Sequence, residues 1–179
     1  NPFDEGEQQR LHRCARDAAE AAAGSGSLEA GERVLLESFA RYAGRQQTGM
    51  AAGRDESMYR NLVWYLDRLP KDSRVIIWTA TVHAARRQGS LPEPPLGARI
   101  AERWGARVAA VGFTAFGGFA SRAGRPASPI PEAPPDSLEA AATRESRFTL
   151  LEPDRLKALG RVPSRLLGKF AAEMWSDYF

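Results

Sequence analysis

Two nearly continuous apolar runs, VIIW at 75–78 and VAAVGF at 108–113, stand on either side of the helical pattern LGARIAERWG at 96–105. No other feature constrains the fold as strongly. An alternating strand can leave one face wet, whereas a run that is apolar at every position asks for cover on both faces. Two such runs joined through a helix read as a βαβ unit with parallel strands and a right-handed crossover. The pattern points to α/β layers, with both chain exits at one edge of the sheet.

Helical patterns precede this unit. Residues 7–23, EQQRLHRCARDAAEAAA, are rich in helix formers, and GSGS at 24–27 breaks the run. After Ser27, an expected N-cap, Leu28, Val34, Leu35, Phe39 and Tyr42 are spaced for one helical face. These two segments should pair antiparallel, and the alanines of the first permit close approach. The clearest helix is GRDESMYRNLVWYLDRLP at 53–70, with Asp55 as expected cap and Pro70 as stop. Met58, Leu62, Tyr65 and Leu69 form its apolar stripe. Asn61 borders that stripe, and because its amide competes with backbone hydrogen bonds it should have a partner. Downstream, the Gly/Ser/Pro-rich 116–137 reads as a loop, SLEAAATR at 137–144 as a short helix and RFTLL at 147–151 as a third strand. EPDRLKAL at 152–159 and PSRLLGKFAAEMW at 163–175 read as helical pieces. The expected organisation is a helical hairpin over 1–48, a βαβ core over 49–121, a Pro/Gly-rich loop over 122–135 and a C-terminal segment of the same domain over 136–179.

Bulk properties narrow the function. The net charge is +3, and the arginines are scattered among acids, so no nucleic-acid partner is expected. No run reaches the roughly 20 apolar residues of a membrane span, so no membrane partner is expected either. The opening NPFDEGEQQR is acidic and polar, unlike a secretory leader, and the missing initiator methionine points to processing or a cut boundary. Cys14 is the only cysteine, which excludes internal disulfides and fits a cytoplasmic protein.

In an open parallel sheet, ligands bind beyond the carboxyl ends of the strands. His83 lies just past the first apolar run, Thr79 ends that run, and Gly117 and Gly118 follow the second. An imidazole exchanges protons near neutral pH, so His83 is the candidate catalytic residue, with Thr79, Gly117 and Gly118 lining the site. The competing reading makes His83 an ordinary hydrogen-bonded residue at the start of a helix. Zinc needs three or four ligands, and the second histidine, His12, lies in a distant helix, so no metal is expected. Neither a nucleophile elbow nor a phosphate-binding glycine loop occurs, and no cofactor is expected.

The blocks RDESMYRNLVWYL, VIIWTATVH and PPLGARIAERWGARVAAVGFT, in that order, resemble the erythromycin esterase-like family. Arg54, Asp55, Met58, Asn61 and Trp64 match its Arg-Asp-x-x-Met-x-x-Asn helix. Trp78 and His83 match its strand ending near Trp-Ala-His-Asn-x-His. Gly97, Gly105, Gly112 and Phe113 match its Gly-x-x-Leu helix and Gly-Phe-Thr strand, and Gly118 and Phe119 the glycine-aromatic pair beyond. The likeness runs from about residue 50 to the end. It implies a three-layer α/β/α sandwich around a mainly parallel sheet, here with a helical N-terminal segment. It also implies hydrolysis of a carboxylic ester or macrolactone by activated water, with a macrolide-type small molecule as a substrate class. Other bacterial members carry succinoglycan-biosynthesis labels. Arg54 and Asn61 would join the site-lining residues. Their competing readings are an ion pair of Arg54 with Asp55 or Glu56, and a satisfied amide at Asn61. Trp64 and Trp78 read as core.

Two departures weaken the enzyme. Where the family has His-Asn, this chain has Ala80 and Thr81, and an alanine moves no proton. The family's other working histidine and its glutamate partner come from an N-terminal half, which this sequence lacks and which is expected to be missing from a larger domain. General acid–base groups typically contribute ~10²–10⁴-fold in rate. The expectation is an esterase-like hydrolase domain, incomplete or impaired by itself, against the alternative of a non-catalytic binding or assembly module on the same fold.

Overall fold

Asp4 starts the first helix with a reciprocal cap. Its Oδ1 accepts the Glu7 N–H at 2.7 Å, and Glu7 Oε2 accepts the Asp4 N–H at 2.9 Å. The computed structural model describes residues 4–48, 53–89, 91–121, 126–143, 146–152, 155, 158, 162–164 and 171–173. It divides into two units, residues 1–76 and 77–179.

The first unit holds three helices, α1 (Glu5–Gly24), α2 (Ala30–Thr48) and α3 (Arg54–Leu66). Small side chains let α1 and α2 approach closely. Ala15, Ala22 and Ala43 are buried, and a Cβ on Gly44 would stand 3.0 Å from His12 Nε2. Apolar residues of the expected α2 face stay open to solvent, with Leu35, Phe39 and Tyr42 all exposed. Ser27 does not cap α2. Its hydroxyl pairs with Ser25 Oγ at 2.6 Å inside the turn, and Glu32 Oε2 accepts the Glu29 N–H instead.

α3 runs antiparallel to α2, held by polar contacts at successive turns. Arg45 Nη1 donates to Ser57 Oγ at 2.7 Å, and Arg41 Nη2 donates to Asn61 Oδ1 at 3.1 Å. Asn61 Nδ2 donates to Ser38 Oγ at 2.9 Å, and Trp64 reaches Gly31. Asp55 is not the cap. Gly53 holds that position at φ 70°, where only glycine is unstrained, and Asp55 is buried in the first turn. An acid there still complements the positive end of the helix dipole. The helix closes before Pro70, where Arg68 donates to the Trp64 carbonyl at 2.8 Å and stacks on the Trp64 ring.

The second unit mixes helix and sheet. The short helix α4 (Thr81–Ala84) packs on α5 (Leu96–Trp104), which stops at Gly105, φ 56°, before a 3₁₀ turn at Gly105–Arg107. β1 (Gly118–Ala120) pairs antiparallel with β2 (Ser128–Ile130), and β3 (Val162–Ser164) with β4 (Ala171–Glu173). Between the hairpins lies α6 (Leu138–Thr143), capped by Ser137, whose Oγ accepts the Ala140 N–H at 3.2 Å. Ala85, Leu96, Ile100, Ala133 and Leu138 are among the buried apolar residues of this second unit.

The mixed α and β content agrees with the sequence reading, but the strands lie elsewhere. Among the described residues every paired strand is antiparallel. The runs at 75–78, 108–113 and 147–151 carry neither helix nor ladder. Trp78 is 85% and Phe113 64% exposed. Apolar composition provides a strand's burial demand, whereas a ladder also needs a neighbouring backbone to pair with. Within the expected helix at 163–175 the described residues are strand instead, belonging to 162–164 and 171–173. Pro163 disfavours helical backbone at the residue before it, and Val162 is β-branched. The expected helix at 152–159 lies mostly outside the described residues.

Candidate functional site

The two apolar runs converge at their ends through one hydroxyl. Thr81 Oγ1 accepts the Phe113 N–H at 3.1 Å and donates to the Phe113 carbonyl at 3.1 Å. A single side chain thereby satisfies both backbone groups of a residue 32 positions away, much as a paired strand would. Nearby, the Trp78 and Phe113 rings lie 5.8 Å apart at 39°, within the range of favourable aromatic pairs.

His83 sits two residues past this clamp, half-buried in α4, its N–H donating to the Ala80 carbonyl at 2.9 Å. α4 is fixed from its other side by α5. Gly97 is buried against the backbone of Ala84 and Ala85, and the helix could not approach with any larger residue there. Thr79 is half-buried at the end of the first run. Gly117 and Gly118 open the β1–β2 hairpin. Gly117 lies against Ile130 and Glu132, and Gly118 stands opposite Ile130 at φ 118°, a conformation that favours glycine. The Phe116 carbonyl accepts the Ala133 N–H at 2.7 Å, tying the hairpin's two legs together.

Thr79, His83, Gly117 and Gly118 thus belong to one unit, and Arg54 and Asn61 to the other. Arg54 is exposed at the start of α3 and makes no ion pair among the described residues. Asn61 has the partners its position asked for, Ser38 and Arg41. Removing an amide bonded to a cation and a hydroxyl strands both. Asn61→Ala should lower stability by about 2 kcal/mol in urea unfolding, and Asn61→Leu by no less. A change within about 0.5 kcal/mol would show that the amide does not hold the helices together.

Sequence reasoning passed over Glu139. Its pattern, an acid in the first turn of a short helix, ordinarily marks a solvated position, yet the residue is 1% exposed. Thr114 Oγ1 donates to its Oε1 at 2.6 Å and Ser164 Oγ at 3.0 Å. Among the described residues, no group of three or more His, Cys, Asp or Glu side chains converges to hold a metal ion. Among the same residues, no helix is long and apolar enough to cross a membrane.

The family model described as Erythromycin esterase matches residues 4–179. The match extends the resemblance, placed from about residue 50 onward, back through the helical unit. Comparison with curated proteins and with solved structures returned no match.

Proposed function

The chain belongs to the erythromycin esterase family, and on that premise we propose that it forms one wall of an ester- or lactone-hydrolysing site bordered by His83. The supporting observation is the Thr81–Phe113 clamp, which brings the exits of the two apolar runs together beside α4. Attack by water needs a base and a group to polarise the carbonyl. His83 is the proton-carrying side chain at this edge, with Thr79, Gly117 and Gly118 lining it. Ala80 contributes no proton.

We assign the remaining acid–base groups to an N-terminal α/β half of the same protein. Its strands would pair with the exposed runs and complete a parallel, three-layer sandwich. The substrate would be a small ester, with macrolides as the first class to test, in a cytoplasmic setting that suits the exposed Cys14 thiol.

The exposed Trp78 and Phe113, together with Ala80, favour a second reading, a non-catalytic binding or assembly module on the same fold. Mass spectrometry of macrolide turnover by the full-length protein separates the two. A ring-opened product, heavier by one water, supports hydrolysis. No product, while an active family member opens the ring in parallel, removes hydrolysis and leaves the assembly reading.

A further inference from the structure

We infer that Glu139 is the positioning residue of this site, a buried hub that holds the segment carrying His83 in register with the hairpin beyond it. The inference rests on the hydrolytic reading for its consequence in rate, but not for its geometry. Taking a carboxyl group out of water is unfavourable unless its oxygens accept hydrogen bonds. Glu139 Oε1 accepts two, from Thr114 on the segment leaving the second apolar run and from Ser164 on β3. The Thr114 bond, at 2.6 Å, lies at the short end for O–H···O contacts.

The connection continues from there. Thr114 adjoins Phe113, whose two backbone groups are held by Thr81, and Thr81 opens the four-residue helix containing His83. On the other side, Phe116 is bonded to Ala133 just before α6. Four segments far apart in sequence, those at 81, 113–116, 139 and 164, therefore share one polar path. Its single carboxyl group lies at the centre. With α5 holding α4 from the other side at Gly97, this path sets where the imidazole stands. Misplacing a reacting group by about 1 Å can lower a rate on the order of 10²-fold.

The test reads the imidazole directly. The chain has two histidines, His83 and His12, so ring carbon–proton spectra of the full-length protein contain one probe at the site and one control in the helical unit. Thr114→Val removes the hydroxyl at constant shape, Glu139→Gln weakens the acceptor without shrinking it, and Thr114→Ser restores the donor. Thr114→Val and Glu139→Gln should move or broaden the His83 ring signals while those of His12 stay in place, and Thr114→Ser should return them. For a macrolactone the first two should lower kcat on the order of 10²-fold with KM little changed. His83 signals unmoved in folded Thr114→Val and Glu139→Gln proteins overturn the inference, as does equal movement of His12. Shifted His83 signals in a protein without lactone turnover uphold the hub and remove the hydrolytic reading instead.

Discussion

Gly97→Ala is expected to be the most damaging single substitution in the second unit, by about 3 kcal/mol or more. A Cβ at position 97 would meet the Ala84 carbonyl oxygen, the Ala84 carbonyl carbon and the Ala85 carbonyl oxygen, all backbone atoms. A flexible side chain could swing aside, but a backbone carbonyl moves only if α4 moves. Ala85 is completely buried and leaves no slack on that side. The mild benefit of alanine in a helix, about 1 kcal/mol over glycine, is overwhelmed by the overlap. Because α4 carries His83, the loss should appear twice, as a lower urea midpoint and as weaker turnover at temperatures where the protein is still folded. A Gly97→Ala protein with wild-type stability would mean that α4 and α5 do not meet as described.

His83→Ala carries the largest expected effect on chemistry. If the imidazole transfers the proton, its removal should lower kcat/KM for a hydrolysed lactone by ~10²–10⁴-fold with little change in urea midpoint. His83→Gln sharpens the test. Its amide retains hydrogen-bonding capacity at similar size but cannot shuttle a proton. A catalytic imidazole makes Gln as inactive as Ala, whereas a purely architectural one lets Gln retain most of the rate. Full activity in both variants would make His83 an ordinary residue of a short helix and shift the chemistry to other groups.

The helices were legible because their signals are local. A run of helix formers, a glycine break and a proline stop each act within a turn of where they stand, and α1, α2 and α3 follow them to within a few residues. Even there, the identity of a cap was misread at Ser27 and Asp55, since several residues near a helix start can compete for one N–H. The need of Asn61 for a partner was also legible, but not the partner. Ser38 and Arg41 lie 23 and 20 residues away, and nothing short-range connects them.

By itself the sequence determined the family, the helical unit, the breaks between elements and the position of a lone histidine just after an apolar run. These follow from periodicity, capping and motif order, all written within a few residues. Only the tertiary structure decided that Thr81 replaces a ladder at Phe113, that Gly117 and Gly118 open an antiparallel hairpin, and that Glu139 is buried at a junction of distant segments. The physical reason is that backbone pairing and carboxyl burial depend on which chain arrives from elsewhere, and a residue's neighbours in sequence say little about its neighbours in space.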